Sequence, residues 1–380
     1  MAYQVAADLH NVASVRDSSE YLDLVITTLK DFEKLTWSDL VPNLQRYTAM
    51  NELLKKKRVA FGSGYGHQFN VRLYSNNAAR NVEINEEDTP TTADVMDTGQ
   101  VGWRHSETHW AIDERIVAMN REPSRLVDLL KVSRIDAMVD LADLMETNFW
   151  GEPPKNTDEK TPLGLKYWIS KDDYNSVGNG PPTAAGFKGH LPVKDDNTDQ
   201  GHTRVGGLAP AVATGDKWRN WVGKYTNVSK SDLIRKLREA SAKTYFQPPV
   251  EGSSHNGGAG DYAFYTTYAV VSKMEEILES QNDNLGNDVA SKEGLVTFRR
   301  NPVIWVPKID DDTSDGTAKV DAVFGVNWNA FKPIFLSGEY MKESRVFPHP
   351  LHHRMITQYV DCTYNTFCND RRSQLVLAKG

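Results

Sequence analysis

Three histidines, His349, His352 and His353, crowd into PHPLHH near the end of the chain, and imidazole is the commonest metal-binding side chain. A catalytic zinc needs ligands fixed on rigid elements. These stand in a Pro-rich connection, with no helical HExxH and no carboxylate at ligand spacing, and read as a loop cluster. The acidic run Asp310, Asp311, Asp312 and Asp315 before Gly316 resembles the start of a calcium loop. Registering Gly316 at the loop's turn places Thr313 and Ala322 at two ligand positions, and Ala322 cannot supply the closing carboxylate. A solvated acidic turn between strands fits better. Gly62, Gly64 and Gly66 in GSGYG look like a phosphate loop without its Lys and Ser/Thr, and no helix opens there. A β-bulge or a close backbone approach accounts for them.

Nucleophiles fare no better. Cys362 and Cys368 have the spacing of neither a redox motif nor half a zinc site and build no disulfide framework, which suits a reducing cytoplasm. No GxSxG elbow occurs, and the mere presence of Ser, His and Asp does not make a triad. A hydrolase pocket lined by Asp216, Trp218 and Trp221 is conceivable, but no paired carboxylates stand in a recognisable setting. The expectation is a chain with no catalytic residue, no cofactor and no metal.

At 380 residues the chain exceeds the length at which one core stops growing, so two subdomains are expected. Nine Trp and fifteen Tyr are present, several beside Gly, Pro or charge, a setting that points to contacts more than to a core. The net charge of -7 speaks against gripping nucleic acid by phosphate neutralisation. The basic run Lys55, Lys56, Lys57 and Arg58 reads as a solvated helix end. The first residues lack a signal-peptide pattern, and no apolar run approaches membrane-spanning length; a soluble protein, not exported by a standard signal, is expected.

The elements that must carry these residues follow from periodicity. Leu22, Val25, Ile26, Leu29 and Phe32 predict an amphipathic N-terminal helix, an arm that needs a partner surface. Residues 58 to 119 read as a glycine-punctuated strand, a polar tip and a returning strand, a long two-stranded loop that is marginal alone in water. Pro123 opens the strongest helix, with Leu126, Leu130, Ile135, Met138, Val139, Ala142 and Met145 as its stripe, ending at Trp150 before Gly151, Pro153 and Pro154. Beyond 155 the chain is rich in Gly, Pro, Asn and Asp. Ser229 and Asp232 cap one further helix, and a second is predicted over about 262 to 281. Strand-rich segments follow, and MITQYVDCTYNTFCNDRRSQLVL reads as a hairpin turning at Asn369 and Asp370.

An arm, a long two-stranded loop, a spine helix, a Gly-rich mixed region and a strand-rich return, in that order, resemble the major capsid proteins of tailed bacteriophages with the Hong Kong 97-type fold. Gly99, Val101, Trp103, Glu107, Trp110 and Ile112 are similar to the returning strand of that family's E-loop. Gly325, Asn327, Trp328, Gly338, Asp361, Tyr364, Asp370, Arg371 and Arg372 are similar to its closing segment. The resemblance implies an α+β fold with an N-terminal arm (1–57), an E-loop (58–119), a P domain with the spine helix (120–180), an A domain (181–320), and a return to the P domain ending in a β-hairpin (321–380).

It also implies pentamers and hexamers of one chain closing into an icosahedral shell around double-stranded DNA, with no sequence-specific binding and no membrane. The virion capsid, assembled in the host bacterial cytoplasm, would be its place. A portal protein at one vertex, a decoration or cement protein and a scaffolding protein are the implied partners. The scaffold is expected to be a separate protein, because the first helix begins at Asp17 and leaves little room for a removable segment. Trp37, Arg58, Trp103, Glu107, Trp110 and Arg115 are the implied contacts with other subunits. The competing reading is an encapsulin-type compartment, which shares the fold and encloses enzymes; the long N-terminal arm favours the virus.

Overall fold

The computed structural model describes residues 48–49, 59–76, 78–84, 87, 94–119, 129–171, 184–192, 201–210, 217–244, 262–279, 296–299, 301–310, 321–349, 351–352 and 354–380. In chain order come β1 (Ala60–Gly62), β2 (Gly66–Arg72), β3 (Met96–Gly102), β4 (Arg104–Asp113), α1 (Glu114–Met119), α2 (Leu129–Trp150), α3 (Leu165–Trp168), β5 (Gly186–Gly189) and β6 (Asn220–Tyr225). A π-helical turn (Lys230–Ile234) then runs into α4 (Arg235–Thr244), followed by β7 (Tyr262–Thr266), α5 (Tyr268–Glu279), β8 (Thr297–Phe298), β9 (Asn301–Trp305) and α6 (Pro307–Asp310). The rest is strand: β10 (Val323–Asn327), β11 (Phe331–Leu336), β12 (Lys342–Glu343), β13 (Phe347–Pro348), β14 (Met355–Cys368) and β15 (Leu375–Lys379). Two compact units result. Of the described residues, the smaller gathers those within 107–141 and 341–361; the larger gathers those within 46–106, 142–340 and 362–380.

The larger unit is built on a seven-stranded mixed sheet in the order β5-β6-β15-β10-β7-β9-β8. Its strands alternate between two buried clusters. Ala263, Tyr265, Phe324, Val376 and Val222 face one, with Trp168, Trp218 and Trp328. Phe264, Val323, Leu375, Leu377 and Trp221 face the other, where Leu233, Leu237 and Ala240 of the π-turn and α4 meet Val270, Val271 and Met274 of α5. Because both faces are covered, strands such as YAFYT and VFGVN are buried throughout and read as unbroken apolar runs. Each large side chain so buried contributes about 1.5–3 kcal/mol.

This arrangement overturns three expectations. Periodicity predicts a helix from about 262, whereas Tyr262–Thr266 is the central strand β7; a buried strand and a buried helix segment are indistinguishable by apolar pattern alone. The helix begins at Tyr268, whose N–H donates to the Asp310 carboxylate at 3.2 and 3.1 Å. The tail is no hairpin. β14 pairs with β11, while β15 pairs with β10 and β6 in the other sheet. A 3₁₀ turn at Arg371–Ser373 redirects the chain between them because Arg371 turns inward, fully buried, where a hairpin tip would be solvated. Finally, Trp150, Trp168, Trp218, Trp221 and Trp328 are core residues, all below 5% exposed, so most of the described tryptophans pack inside the unit and leave no ring for a contact.

The Ser229 cap forms as the sequence predicts. Its hydroxyl accepts from Asp232 N–H at 3.2 Å, and the Asp232 carboxylate accepts from the N–H groups of Thr226 (2.7 Å) and Asn227 (2.9 Å). α2 ends at Trp150, with Gly151 N–H closing the last turn on Thr147 O at 3.0 Å. Its described 22 residues span roughly 33 Å at the standard rise.

In the smaller unit, Trp110, Ile112 and Ala137 form a core with Ile116 and Ile356 packed on it. β12 and β13 pair with the Met355–Asp361 stretch of β14. Glu114 N–H donates to Arg354 O at 2.9 Å, and Arg134 of α2 pairs with Glu343 of β12. That ion pair is open to solvent, so it fixes geometry more than it stabilises.

Candidate functional site

No described side chains converge on a reaction centre, so the candidate site is a set of surfaces and the groups that hold them. Within the larger unit, β2 and β3 pair antiparallel over seven residues, from Gly66 opposite Gly102 to Arg72 opposite Met96. Trp103 follows directly. Its indole N–H donates to Gly64 O at 2.7 Å, and its ring lies 3.1 Å from where a Cβ on Gly62 would stand. Gly64 sits at φ +89, a left-handed backbone that glycine adopts without strain. The GSGYG segment is therefore a seat for Trp103, which explains both glycines without a phosphate. Tyr65, directly after Gly64, is fully exposed at 101%. Past β2 lie Val82 (62% exposed) and Ile84 (94% exposed) with carboxylates between and after them.

Glu107 and Trp110 stand on opposite faces of β4, whose residues alternate between exposed and buried. Glu107 points to solvent, whereas Trp110 is only 8% exposed in the smaller unit's core, its indole N–H without a partner among the described residues. Arg115, in the first turn of α1, is exposed, and its backbone N–H donates to Asp113 Oδ1 at 2.8 Å. Trp37 and Arg58 lie outside the described residues. The structure thus shows Glu107 and Arg115 as surface groups of the smaller unit, Trp103 as a half-buried anchor in the larger, and Trp110 as core.

Sequence reading did not foresee what Arg371 does. Its guanidinium is fully buried with no ion-pair partner among the described residues, and burial lowers its pKa to about 10, which leaves it protonated at neutral pH. It donates to the carbonyls of Trp168 (2.8 Å), Trp218 (2.9 Å) and His190 (3.0 Å) and to Asn220 Oδ1 (3.2 Å). Three segments remote in sequence, at Trp168, His190 and Trp218 with Asn220, are tied to one planar cation, a role that fits the five fixed donors of arginine and not the point charge of lysine. Gln374 does similar work between strands: it accepts from Asn327 N–H at 2.8 Å and donates to Asn327 O at 3.2 Å. Arg372 instead stacks over Phe187 at 4.3 Å. The only available signal was the density of polar residues in the tail NDRRSQ, which looks like turn chemistry when read locally.

Trp218 and Trp221 are buried in separate clusters and line no open cleft among the described residues; Asp216 lies outside those residues. The rings of His349 and His352 lie 4.9 Å apart, and His349 Nδ1 accepts from Leu351 N–H; His353 lies outside the described residues. Among the described residues no three His, Cys, Asp or Glu side chains could share a metal ion, and no helix is long and apolar enough to cross a membrane. Neither cysteine forms a disulfide and both are buried, and burial raises the Cys368 thiol to about 12, so it is no nucleophile at neutral pH.

No family model and no curated protein matches the sequence. Solved structures do match the fold. The chain is similar to one in the cyanophage A-1(L) capsid asymmetric unit, with 10% identity, a TM-score of 0.55, and coverage of 90% of this chain and 96% of that one. It is similar also to a chain in the capsid of a native GTA particle, with 10% identity, a TM-score of 0.53, and coverage of 91% and 95%. The empty GTA capsid gives 9% identity, a TM-score of 0.54 and the same coverage. Similarity along nearly the whole of both chains means that the α+β fold described above is the Hong Kong 97-type fold.

Proposed function

We propose that this chain is the major capsid protein of a tailed bacteriophage, assembling with copies of itself into pentamers and hexamers that close as an icosahedral shell around double-stranded DNA. The observation that carries this reading is the nearly end-to-end likeness to chains of two capsids. Groups arranged for structure and not for chemistry agree with it: the buried cation serves carbonyls, and the buried Cys368 thiol is protonated. On this reading Trp37, Arg58, Trp103, Glu107 and Arg115 contact other subunits, while Trp110, expected among the contacts, is buried and supports that surface from beneath. A separate scaffolding protein, a portal at one vertex and a decoration protein are the partners, and the protein has no catalytic role of its own. The acidic balance suits a wall past which packaged DNA must slide, held by confinement and not by neutralised phosphates.

The test is expression of the chain with and without a candidate scaffolding protein, followed by sedimentation and negative-stain electron microscopy. Closed shells or rings of five and six support the proposal, and a monomer under both conditions overturns it. Particles from the native source separate virus from compartment: nuclease-protected double-stranded DNA inside supports the capsid, and packaged enzyme without DNA supports the encapsulin-type reading.

A further inference from the structure

On the larger unit, the π-turn and α4, the outer turns of α5 and the β8–β9 hairpin enclose a groove of ≈ 380 Å³. Its floor is apolar, made by Ile234, Met274, Ile277, Val296 and Phe298, and its rim carries Lys230, Arg238 and Arg299, with no carboxylate among the described lining residues. None of the three cations forms an ion pair with a described residue; the Arg299 guanidinium instead lies 5.9 Å over the Phe298 ring. In a chain of net charge -7, a concave surface whose described lining carries only positive charge stands out.

Two backbone features converge on the same place. Arg299 holds φ +49 at the tight turn joining β8 to β9; glycine or asparagine is the residue such turns favour. A strained arginine there keeps a cation on the rim where a relaxed glycine would keep none. On the opposite wall the chain opens its helix with a π-turn, a departure that concentrates at functional positions. The turn contributes both Lys230 to the rim and Ile234 to the floor.

We infer that this groove docks an acidic peptide segment of another protein, one that inserts bulky apolar side chains into the floor while its carboxylates meet Lys230, Arg238 and Arg299. Nucleic acid is disfavoured by the same lining: a phosphate backbone has nothing to place against five apolar side chains, and the one aromatic ring, Phe298, is already covered by Arg299. The inference does not rest on the shell proposal, because the groove belongs to one unit of one chain.

The test measures fluorescence anisotropy of a panel of labelled peptides in which Glu or Asp alternates with pairs of Leu, Ile or Phe, titrated with the full chain at low and high salt. A panel with Lys in place of the acids and a single-stranded DNA oligonucleotide serve as rivals. Saturable, salt-sensitive binding of the acidic panel is expected, with about a tenfold loss in Arg238→Glu. Arg299→Gly suits the left-handed turn, so it should fold as well as the parent and still lose affinity. Ile277→Asp should weaken binding at high salt as well, because it spoils the floor. Sedimentation of the same variants, with assembly retained while the peptide is lost, keeps this result separate from the fate of the shell reading. Absence of saturable binding by the acidic panel, equal binding by Arg238→Glu and Arg299→Gly, or tighter binding of the oligonucleotide each overturns the inference.

Discussion

A fully buried guanidinium held by carbonyls and one amide oxygen makes Arg371 the residue whose loss should be felt most. Arg371→Met removes the charge and takes the guanidinium donors from the carbonyls of Trp168, Trp218 and His190, leaving Asn220 Oδ1 only its bond from Ser170 N–H, and Arg371→Lys keeps the charge without the fork that reaches all of them. Either change should cost roughly 3–5 kcal/mol, read as a lowered midpoint in urea unfolding of the unassembled subunit. Lysine performing as well as arginine would show that charge, not geometry, is what the site requires. Asp232 makes a second, pH-dependent prediction. Burial pushes its carboxyl up, but the Lys236 ammonium and the N–H groups of Asn227 and Thr226 outweigh it and hold the pKa at about 2, below its ordinary 3.8. The folded state therefore releases this proton more readily than the unfolded chain. The stabilisation is complete above about 4 and is lost as the pH falls through about 2, which amounts to ~1–2 kcal/mol. The stability difference between the parent and Asp232→Asn should shrink over that acidic interval, and a difference that stays flat would mean the cap acts by hydrogen bonding alone.

At the scale of elements, the end of α2 shows how one position can decide a junction. A Cβ on Gly164 would run into the carbonyl oxygens of Gly151, Asn148 and Phe149, the groups a helix leaves exposed at its C-terminus. Gly164→Ala should destabilise the larger unit by about 1–3 kcal/mol through overpacking; Gly102→Ala, where a Cβ meets nothing within 4 Å, is the control in the same denaturant titration. How far such elements could be read from the sequence depended on whether local information sufficed. α2 was legible because its stripe runs for many turns and Gly151 with two prolines ends it. The Ser229 cap was legible because a capping pair is a local pattern. β7 was not, since YAFYT owes its conformation to sheet neighbours on both sides. Nor was the parting of β14 and β15: it depends on Arg371 reaching backbone carbonyls that lie far away in sequence. The candidate surfaces divide in the same way. β4's alternation already put Glu107 and Trp110 on opposite faces, but nothing local told that Trp110's face is closed by Ala137, Ile116 and Ile356.

For the molecule as a whole, that division turns the assembly proposal into a separation of two effects. If Glu107 and Arg115 meet other subunits, Glu107→Arg and Arg115→Glu should leave the unassembled subunit within about 0.5 kcal/mol of the parent, as exposed substitutions do, while lowering the yield of closed shells. Trp110→Ala should do the reverse in order, weakening the subunit first by roughly 3–5 kcal/mol as a core truncation, with any assembly defect following from it. Trp110→Phe keeps the ring in the core and removes an indole N–H that has no described partner, so it should fold nearly as well as the parent. Charge acts on the ensemble too. Each copy carries -7, and bringing many copies together sets like charges close unless salt screens them over about 10 Å at 0.1 M. Shell yield, followed by sedimentation, should therefore rise with moderate salt, and the Arg115→Glu variant, which adds negative charge to each copy, should need more salt than Glu107→Arg to recover. The opposite order would mean that a local contact at these positions outweighs the field of the whole subunit.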